Sequence, residues 1–574
     1  MSPKVLFLPS VSLSPLSLSH KLGNPIPCLV FKTHPHRSTL IVCKATESET
    51  QQQRPIPEAH VSIPNIELEG TGAAATTRGQ LFLERQQSMA AAALVLASEK
   101  KKKKKGKKSN TGPKISSAIA CCYGCGAPLQ TSEVDAPGYV SSETYELKKK
   151  HRQLRTVLCG RCRLLSHGHM VTAVGGNGGY SGGKQFITAE ELREKLSYLR
   201  HEKALIVKLV DIVDFNGSFL TRIRDLAGAN PIILVVTKVD LLPKGTNFNC
   251  IGDWVVEATM KKKLNVISVH LTSSKSLVGI AGVASEIQKE KKGRDVYILG
   301  SANVGKSAFI NALLKMMADK DPVAAAAQKY KPIQSAVPGT TLGPIQIDAF
   351  LGGGKLFDTP GVHLHHRQAA VIHSEDLPAL APRSRIRGQS FPVTPRERIS
   401  EIKGNDLNGF SLFWGGLVRI DVLKVHPLTR LTFYGPKALQ IHMIPTIEAS
   451  DFYQRELGVL LTPPTGKQRA HNWAGLETVH QLHINFEDQK RPACDVAISG
   501  LGWVTVEPIS ELLDGSDLSS PEESIEQLHL AVHVPKPVEI FVRLPLPVGK
   551  TGGERYEYRE LTEKEEELRP KWYY

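Results

Sequence analysis

From residue 204 the chain alternates short apolar runs with polar or glycine-rich turns. Residues 204–211 (ALIVKLVD), 231–236 (PIILVV), 266–271 (VISVHL) and 295–299 (DVYIL) are rich in Val, Ile and Leu. Runs of that length and composition predict strands buried on both faces, as in a parallel sheet. Residues 307–315 read as a helix directly after the fourth run. Two further runs, 345–350 and 355–357, flank Gly352-Gly353-Gly354 and predict a hairpin that ends at Asp358. After residue 375 helix periodicity is lost. Strand-like runs at 417–423, 431–434, 482–486, 496–499, 503–506, 530–534 and 538–542 are punctuated by Gly and Pro, with polar loops at 381–400 and 516–526. This predicts a β-rich C-terminal domain. No strong internal repeat is visible.

The turn between the fourth strand and its helix carries chemistry. Gly300-Ser301-Ala302-Asn303-Val304-Gly305-Lys306-Ser307 fits G-x-x-x-x-G-K-[ST] at every position and has the strand–turn–helix context the motif requires. The glycines let several amides face phosphate oxygens, and the helix N-terminus adds partial positive charge. Lys306 reaches the β/γ-phosphates and Ser307 ligates magnesium. Asp358 opens Asp358-Thr359-Pro360-Gly361. It is expected to hold magnesium through water, with the Gly361 amide left for the γ-phosphate. Pro338-Gly339-Thr340-Thr341 lies between loop and hairpin; Thr341 is favoured over Thr340 as the further magnesium contact.

Guanine selection is read from Thr237-Lys238-Val239-Asp240, which follows the second strand. A carboxylate at Asp240 accepts from N1–H and N2–H of guanine, a donor pair that adenine lacks. Thr237 stands where such elements usually carry Asn and is shorter. Ser273-Ser274-Lys275, after the third strand, resembles a second base-contacting loop. Both base loops precede the phosphate loop in the chain, whereas most GTPases carry them after it. A doubly wound sheet binds ligand at the carboxyl ends of its strands, so proximity matters and chain order does not. The expected fold is multidomain α/β with a circularly permuted, doubly wound P-loop domain over 176–375. The segment after Asp358 then runs straight into the β-rich domain, 376–574.

Four of the nine cysteines form Cys122-Tyr-Gly-Cys125 and Cys159-Gly-Arg-Cys162, two C-x-x-C knuckles 33 residues apart. This is the spacing of a tetrahedral four-cysteine zinc site, with a redox dithiol or disulfides as alternatives. A zinc module over 115–175 is expected. Cys250 and Cys494 read as buried apolar residues.

Residues 1–46 contain no Asp or Glu, seven Ser and five Lys or Arg. That is organelle transit-peptide composition. Scarce Arg and the stretch Ile41-Val42-Cys43-Lys44-Ala45 favour the chloroplast, stroma or nucleoid, over the mitochondrion. Residues 47–114 read as a disordered linker with a block of eight lysines between Lys100 and Lys108. The formal charge of +16 falls to +3 once that block and the five leader charges are set aside, so the folded body is only mildly basic. No apolar run is long enough to span a membrane.

The rotated motif order, the cysteine knuckles and the segment Val496-Ala-Ile-Ser-Gly-Leu-Gly-Trp503 resemble the YqeH-type permuted GTPases. CCYGCGAPLQ at 121–130 and GRCRLLSHGHM at 160–170 resemble its plant nitric-oxide-associated subfamily. The resemblance covers about residues 115–574. It implies a GTPase of plastid ribosome assembly, acting on the small subunit or its RNA. It is no support for nitric-oxide chemistry, since no haem, flavin or nicotinamide motif is recognisable. Val362 stands where many GTPases place a water-orienting Gln. Related GTPases with that replacement coordinate potassium through an Asn at the place of Asn303, so Lys306, Thr341 and Asn303 are the expected catalytic set, with slow intrinsic hydrolysis. The competing readings are a non-catalytic RNA-binding scaffold with a degenerate nucleotide site and, furthest from the motifs, a nitric-oxide-producing oxidoreductase.

Overall fold

A computed structural model describes residues 120–167, 188–220, 222–330, 332–333, 340–392, 407–425, 429–486, 488, 490–509 and 528–574. The leader, the lysine block, the loop at 516–526 and Pro338-Gly339 lie outside the described residues.

The apolar runs become one seven-stranded sheet. Its strands are β1 (Ala204–Asp211), β2 (Ile232–Thr237), β3 (Val266–Leu271), β4 (Asp295–Leu299), β5 (Ile345–Ile347), β6 (Leu356–Asp358) and, from the far end of the chain, β17 (Lys571–Tyr573). The spatial order is β17-β3-β2-β1-β4-β6-β5. All neighbours are parallel except the β5–β6 hairpin. Side chains of β1 alternate between two cores, as the pleat requires. Leu205, Val207 and Leu209 face helices Ile280–Lys291 and Lys306–Ala318. Ala204, Ile206 and Val210 face helix Phe248–Met260. Lys208 breaks the pattern: it is fully buried, donates to the Leu209 carbonyl, and burial holds its pKa well below the ordinary lysine value.

The C-terminal region forms two antiparallel five-stranded sheets, β16-β13-β14-β10-β7 and β11-β8-β9-β15-β12. Their strands are β7 (Gln389–Phe391), β8 (Phe410–Trp414), β9 (Val418–Lys424), β10 (Thr429–Tyr434), β11 (Ile441–Pro445), β12 (Thr478–Ile484), β13 (Cys494–Ile498), β14 (Gly502–Pro508), β15 (Leu528–Val534) and β16 (Ile540–Arg543). Both sheets contribute to one core, with Leu412, Ile420, Val504 and Val532 among its fully buried members. The opposite face of β13–β14 is covered too. Ala497 and Trp503 belong to the core of the seven-stranded sheet. This β sheet is therefore wedged against the α/β body rather than tethered to it. Arg543 fixes the wedge, stacked between Trp254 and Trp503 and bonded to Asn216 and Asp495.

Four strands escaped the reading of the sequence. β8 and β11 pair with each other, and β7 falls inside the expected loop at 381–400. β17 returns from the last residues to the exposed edge of the α/β sheet, beside β3. Trp572 lies over Gly252 and donates to Asp253, and Tyr573 stacks on His270.

A methyl at Gly252 would come within 2.3 Å of the Trp572 ring. Gly→Ala inside a helix normally gains about 1 kcal/mol. Gly252→Ala is expected to lose stability instead in urea melts. In a chain lacking residues 570–574 the same substitution is expected to stabilise.

Candidate functional site

The phosphate loop leaves β4 and enters helix Lys306–Ala318 through Gly305, at φ +92°. Every carbonyl from Gly300 to Val304 accepts a hydrogen bond from a side chain. Lys306 Nζ donates to Gly300 and Ser301 at 3.1 and 2.9 Å. Arg367 donates to Ala302 at 2.7 Å, Lys238 to Asn303 at 2.9 Å, and the Thr237 hydroxyl to Val304 at 2.8 Å. With its carbonyls held, the loop has its amides free for an anion. Ala302 N also donates to Val362 O at 2.7 Å, closing the loop onto the segment after Asp358.

Thr237 and Lys238 thus meet the phosphate loop directly, although their partners lie 67 and 65 residues later in the chain. Lys238 also pairs with Asp211 at 2.5 Å. Asp240 sits half-buried in the turn Val239–Leu241. The Val239 amide bonds the Thr272 carbonyl, which brings the Ser273-Ser274 loop beside it; Ser273 is buried and its hydroxyl accepts from the Ser276 amide. Both expected base loops therefore adjoin each other at the same end of the sheet as the phosphate loop.

A cavity of about 460 Å³ opens over this loop. Asn303, Gly305, Lys306, Ser307, Thr340, Thr341 and Gly361 line it. Gly361 has no room for a side chain, since a methyl would meet Lys306 Nζ at 2.8 Å and Ala302 Cα at 3.0 Å. Val304 and Val362 point into the two cores instead. A core valine orients no water, in line with the reading of Val362. Asn303 is exposed with φ +62°, a left-handed conformation that Asn tolerates on its own account.

Asp358 is fully buried, and neither carboxylate oxygen has a hydrogen-bond partner among the described residues. Burial pushes its pKa up, against the opposing pull of Lys306 and of Thr341. Burial likewise pushes Lys306 down. An orphaned buried carboxylate close to Lys306 and Thr341 fits a divalent cation.

Three residues of this site were not read from the sequence. Arg367 pairs with Asp214 at 2.9 Å, and with Asp211 they surround the loop. A lone Arg in HLHHR, six residues past Gly361, carries no spacing signal. Next to it, the Gln368 amide bonds Ser499 O at 2.9 Å and the Glu539 amide bonds His366 O at 3.1 Å. Gly500 and Leu501 of the β domain reach the cavity wall.

The four knuckle cysteines converge in a second place. Their sulfurs lie within 4.8 Å of one another, all are buried, and none is in a disulfide. Tetrahedral zinc with Zn–S near 2.3 Å sets its sulfurs about 3.8 Å apart, so the set fits that ion; Cys125 and Cys159 are at 3.9 Å. Cys121 is exposed and outside the set, while Cys250 and Cys494 are buried.

A lysine-bearing glycine loop between a parallel strand and a helix, with a buried aspartate at the end of the neighbouring strand, defines the P-loop class of nucleotide-binding proteins. Residues 295–383 match the family model described as 50S ribosome-binding GTPase, and residues 428–513 match YqeH-like, C-terminal. The chain is 66% identical over 540 residues to NO-associated protein 1, chloroplastic/mitochondrial, of Arabidopsis thaliana, covering 94% of each chain. It is 69% identical over 511 residues to a rice protein called putative nitric oxide synthase, covering 88% of this chain and 92% of that one. It is 30% identical over 425 residues to YqeH of Bacillus subtilis, covering 74% of this chain and 98% of that one. The chain belongs to the YqeH and NO-associated family of GTPases. GTP or GDP with magnesium are the ligands that membership implies. No helix among the described residues is long and apolar enough to cross a membrane.

Thr237→Val keeps the shape but removes the hydroxyl that holds Val304 and also bonds Val210. It is expected to weaken GTP and GDP alike by roughly tenfold in titration calorimetry, about 1.4 kcal/mol, the scale of one buried hydrogen bond.

Proposed function

We propose that this chain is a plastid ribosome-assembly GTPase whose nucleotide state sets the position of its β domain. The observation that carries the reading is the Thr237–Val304 hydrogen bond. It joins a base loop that comes first in the chain to a phosphate loop that comes later, as circular permutation requires. In this reading the nucleotide domain spans 176–375, flanked by a zinc module at 115–175 and the β domain at 376–574, with β17 returning to the nucleotide sheet.

Asp240 accepts from the guanine edge, with Thr237, Lys238, Ser273 and Ser274 framing the base. Gly300, Asn303, Val304, Gly305 and Lys306 cradle the phosphates through their amides and the Lys306 ammonium. Ser307, Thr341 and Asp358 hold magnesium, which supplies charge neutralisation at the phosphates when bound. Gly361 leaves its amide for the γ-phosphate. With Val362 in the core, Asn303 is assigned to a potassium site, so hydrolysis is faster in potassium than in sodium at equal ionic strength, and Asn303→Ala removes that difference. Cys122, Cys125, Cys159 and Cys162 hold a structural zinc. Leader composition, together with the chloroplastic/mitochondrial label of the Arabidopsis relative, supports a plastid address with the mitochondrion as alternative.

The ribosomal partner follows from the family. The YqeH resemblance favours the small subunit or its RNA, whereas the description of the matching GTPase model names the 50S particle. Sedimentation with each plastid subunit, under a non-hydrolysable GTP analogue or GDP, tests the reading. Co-migration with the small subunit in the analogue form alone is expected, and Lys306→Ala is expected to abolish the nucleotide dependence. Equal binding in both nucleotide states would defeat the coupling; binding to the large subunit alone would reassign the partner.

A further inference from the structure

We infer that the four-cysteine module is a clamp on the Thr341 segment, so that its metal and GTP bind cooperatively. The inference rests on the assignment of zinc to the cysteines and of Thr341 to the GTP-bound magnesium. The contact itself is plain in the geometry. The Cys125 carbonyl accepts from the Leu342 amide at 2.7 Å and the Gly343 amide at 3.2 Å. Arg161, on the helix that carries Cys162, reaches the Thr340 carbonyl at 3.4 Å. Ile333 is buried in the module's own small core, and Leu342 packs against it.

The two backbones approach as only glycines permit. A methyl on Gly343 would lie 2.6 Å from the Gly126 carbonyl oxygen, and one on Gly126 would lie 2.3 Å from that of Gly343. Gly126 also has φ +73°, which places it where the knuckle turns. The module thus holds both sides of Thr341: Leu342 and Gly343 through the main-chain carbonyl of a metal-ligating knuckle, and Thr340 through the Arg161 side chain. Thr341 is meanwhile buried and lines the same cavity as Ser307.

The consequence is thermodynamic. A module locked by metal holds the Thr340–Gly343 strip where its threonine reaches the nucleotide site. A module without metal lacks a fixed Cys125 carbonyl, because a four-cysteine site folds on its ion. If the metal favours the strip position that GTP needs, GTP must favour metal retention by the same factor. GDP has no γ-phosphate and gives the strip less to hold. Cys125, Gly126, Arg161 and Gly343 are positioning residues in this scheme. None of them touches the nucleotide.

The test is equilibrium competition for zinc between the full chain and a chromophoric chelator, with magnesium and either a non-hydrolysable GTP analogue or GDP. Apparent zinc affinity is expected to rise at least about fivefold when the analogue replaces GDP, the low end of ordinary coupling. Gly343→Ala is expected to abolish that rise and to lower GTP affinity while leaving GDP affinity in place. Affinity loss for both nucleotides together would mark general damage. Amide exchange at Leu342 and Gly343 in the unaltered chain gives a reading that needs no variant: slower exchange with the analogue than with GDP is expected. A chain that carries zinc and binds GTP, yet holds zinc no more tightly with the analogue than with GDP, would overturn the inference alone. A chain that carries no zinc would overturn the metal assignment and the inference with it.

Discussion

A phosphate loop has to turn its amides inward, and that obliges its carbonyls to face outward into a buried setting. Unpaired, each would cost on the order of 1–3 kcal/mol. Here the five carbonyls from Gly300 to Val304 are taken by Lys306, Arg367, Lys238 and Thr237. Those donors come from the helix after the loop, the segment after Asp358 and the end of β2. The loop's shape is therefore a property of its own helix and of two distant stretches of chain. Their order in sequence is immaterial, since only the carboxyl ends of adjacent strands must coincide.

The same constraint draws the β domain in. Arg367 can hold Ala302 only if its own segment is fixed, and that segment is fixed by Ser499 and Glu539 of the β domain. Gly500 fits this role: its φ is +79°, and a methyl there would come within 3.0 Å of the Gln368 amide nitrogen. Two faces of β13–β14 are then spoken for, one by the domain's own core and one by Trp503 and Ala497 against the α/β body. A sheet buried on both sides does not drift. The segment after Gly361 meets it through short main-chain contacts.

How much of this was legible in the sequence depends on which atoms carry each contact. The apolar runs became β1 to β4 with bounds within a residue or so, and the Gly352-Gly353-Gly354 hairpin formed as expected, because burial of Val, Ile and Leu writes itself as a run. The four cysteines met because metal-ligand spacing is a side-chain signature. What escaped was written in backbone or in single residues. The Cys125 carbonyl on Leu342 has no residue code, and Gly126 and Gly343 look like any loop glycines. Arg367 and Asp214 are ion partners 153 residues apart. β17 has three residues, too few for a period of two to be visible. β8 and β11 are five residues each, and their pairing joins residues 27 or more apart, which leaves no local pattern to read.

Charge around the phosphate loop is paired within the protein in two of three places. Asp211 meets Lys238 and Asp214 meets Arg367, each within hydrogen-bond distance. The third set is different: Asp358 lies near Lys306 with no hydrogen bond to either oxygen, while Lys306 is spent on Gly300 and Ser301. Ligand energy is therefore gained most where a cation can reach Asp358 and a phosphate can draw Lys306 off the carbonyls. That is the phosphate end, and both flanking modules bear on it, one through Leu342 and Gly343, the other through His366 and Gln368. The strand that leads to Ser273 is secured in another way, by the pairing of β17 on β3 and the stacking of Tyr573 on His270. Strand pairing is indifferent to how many phosphates are bound. The two flanking modules therefore contact the segments around the phosphate loop, and the last strand of the chain contacts the edge strand that leads to Ser273.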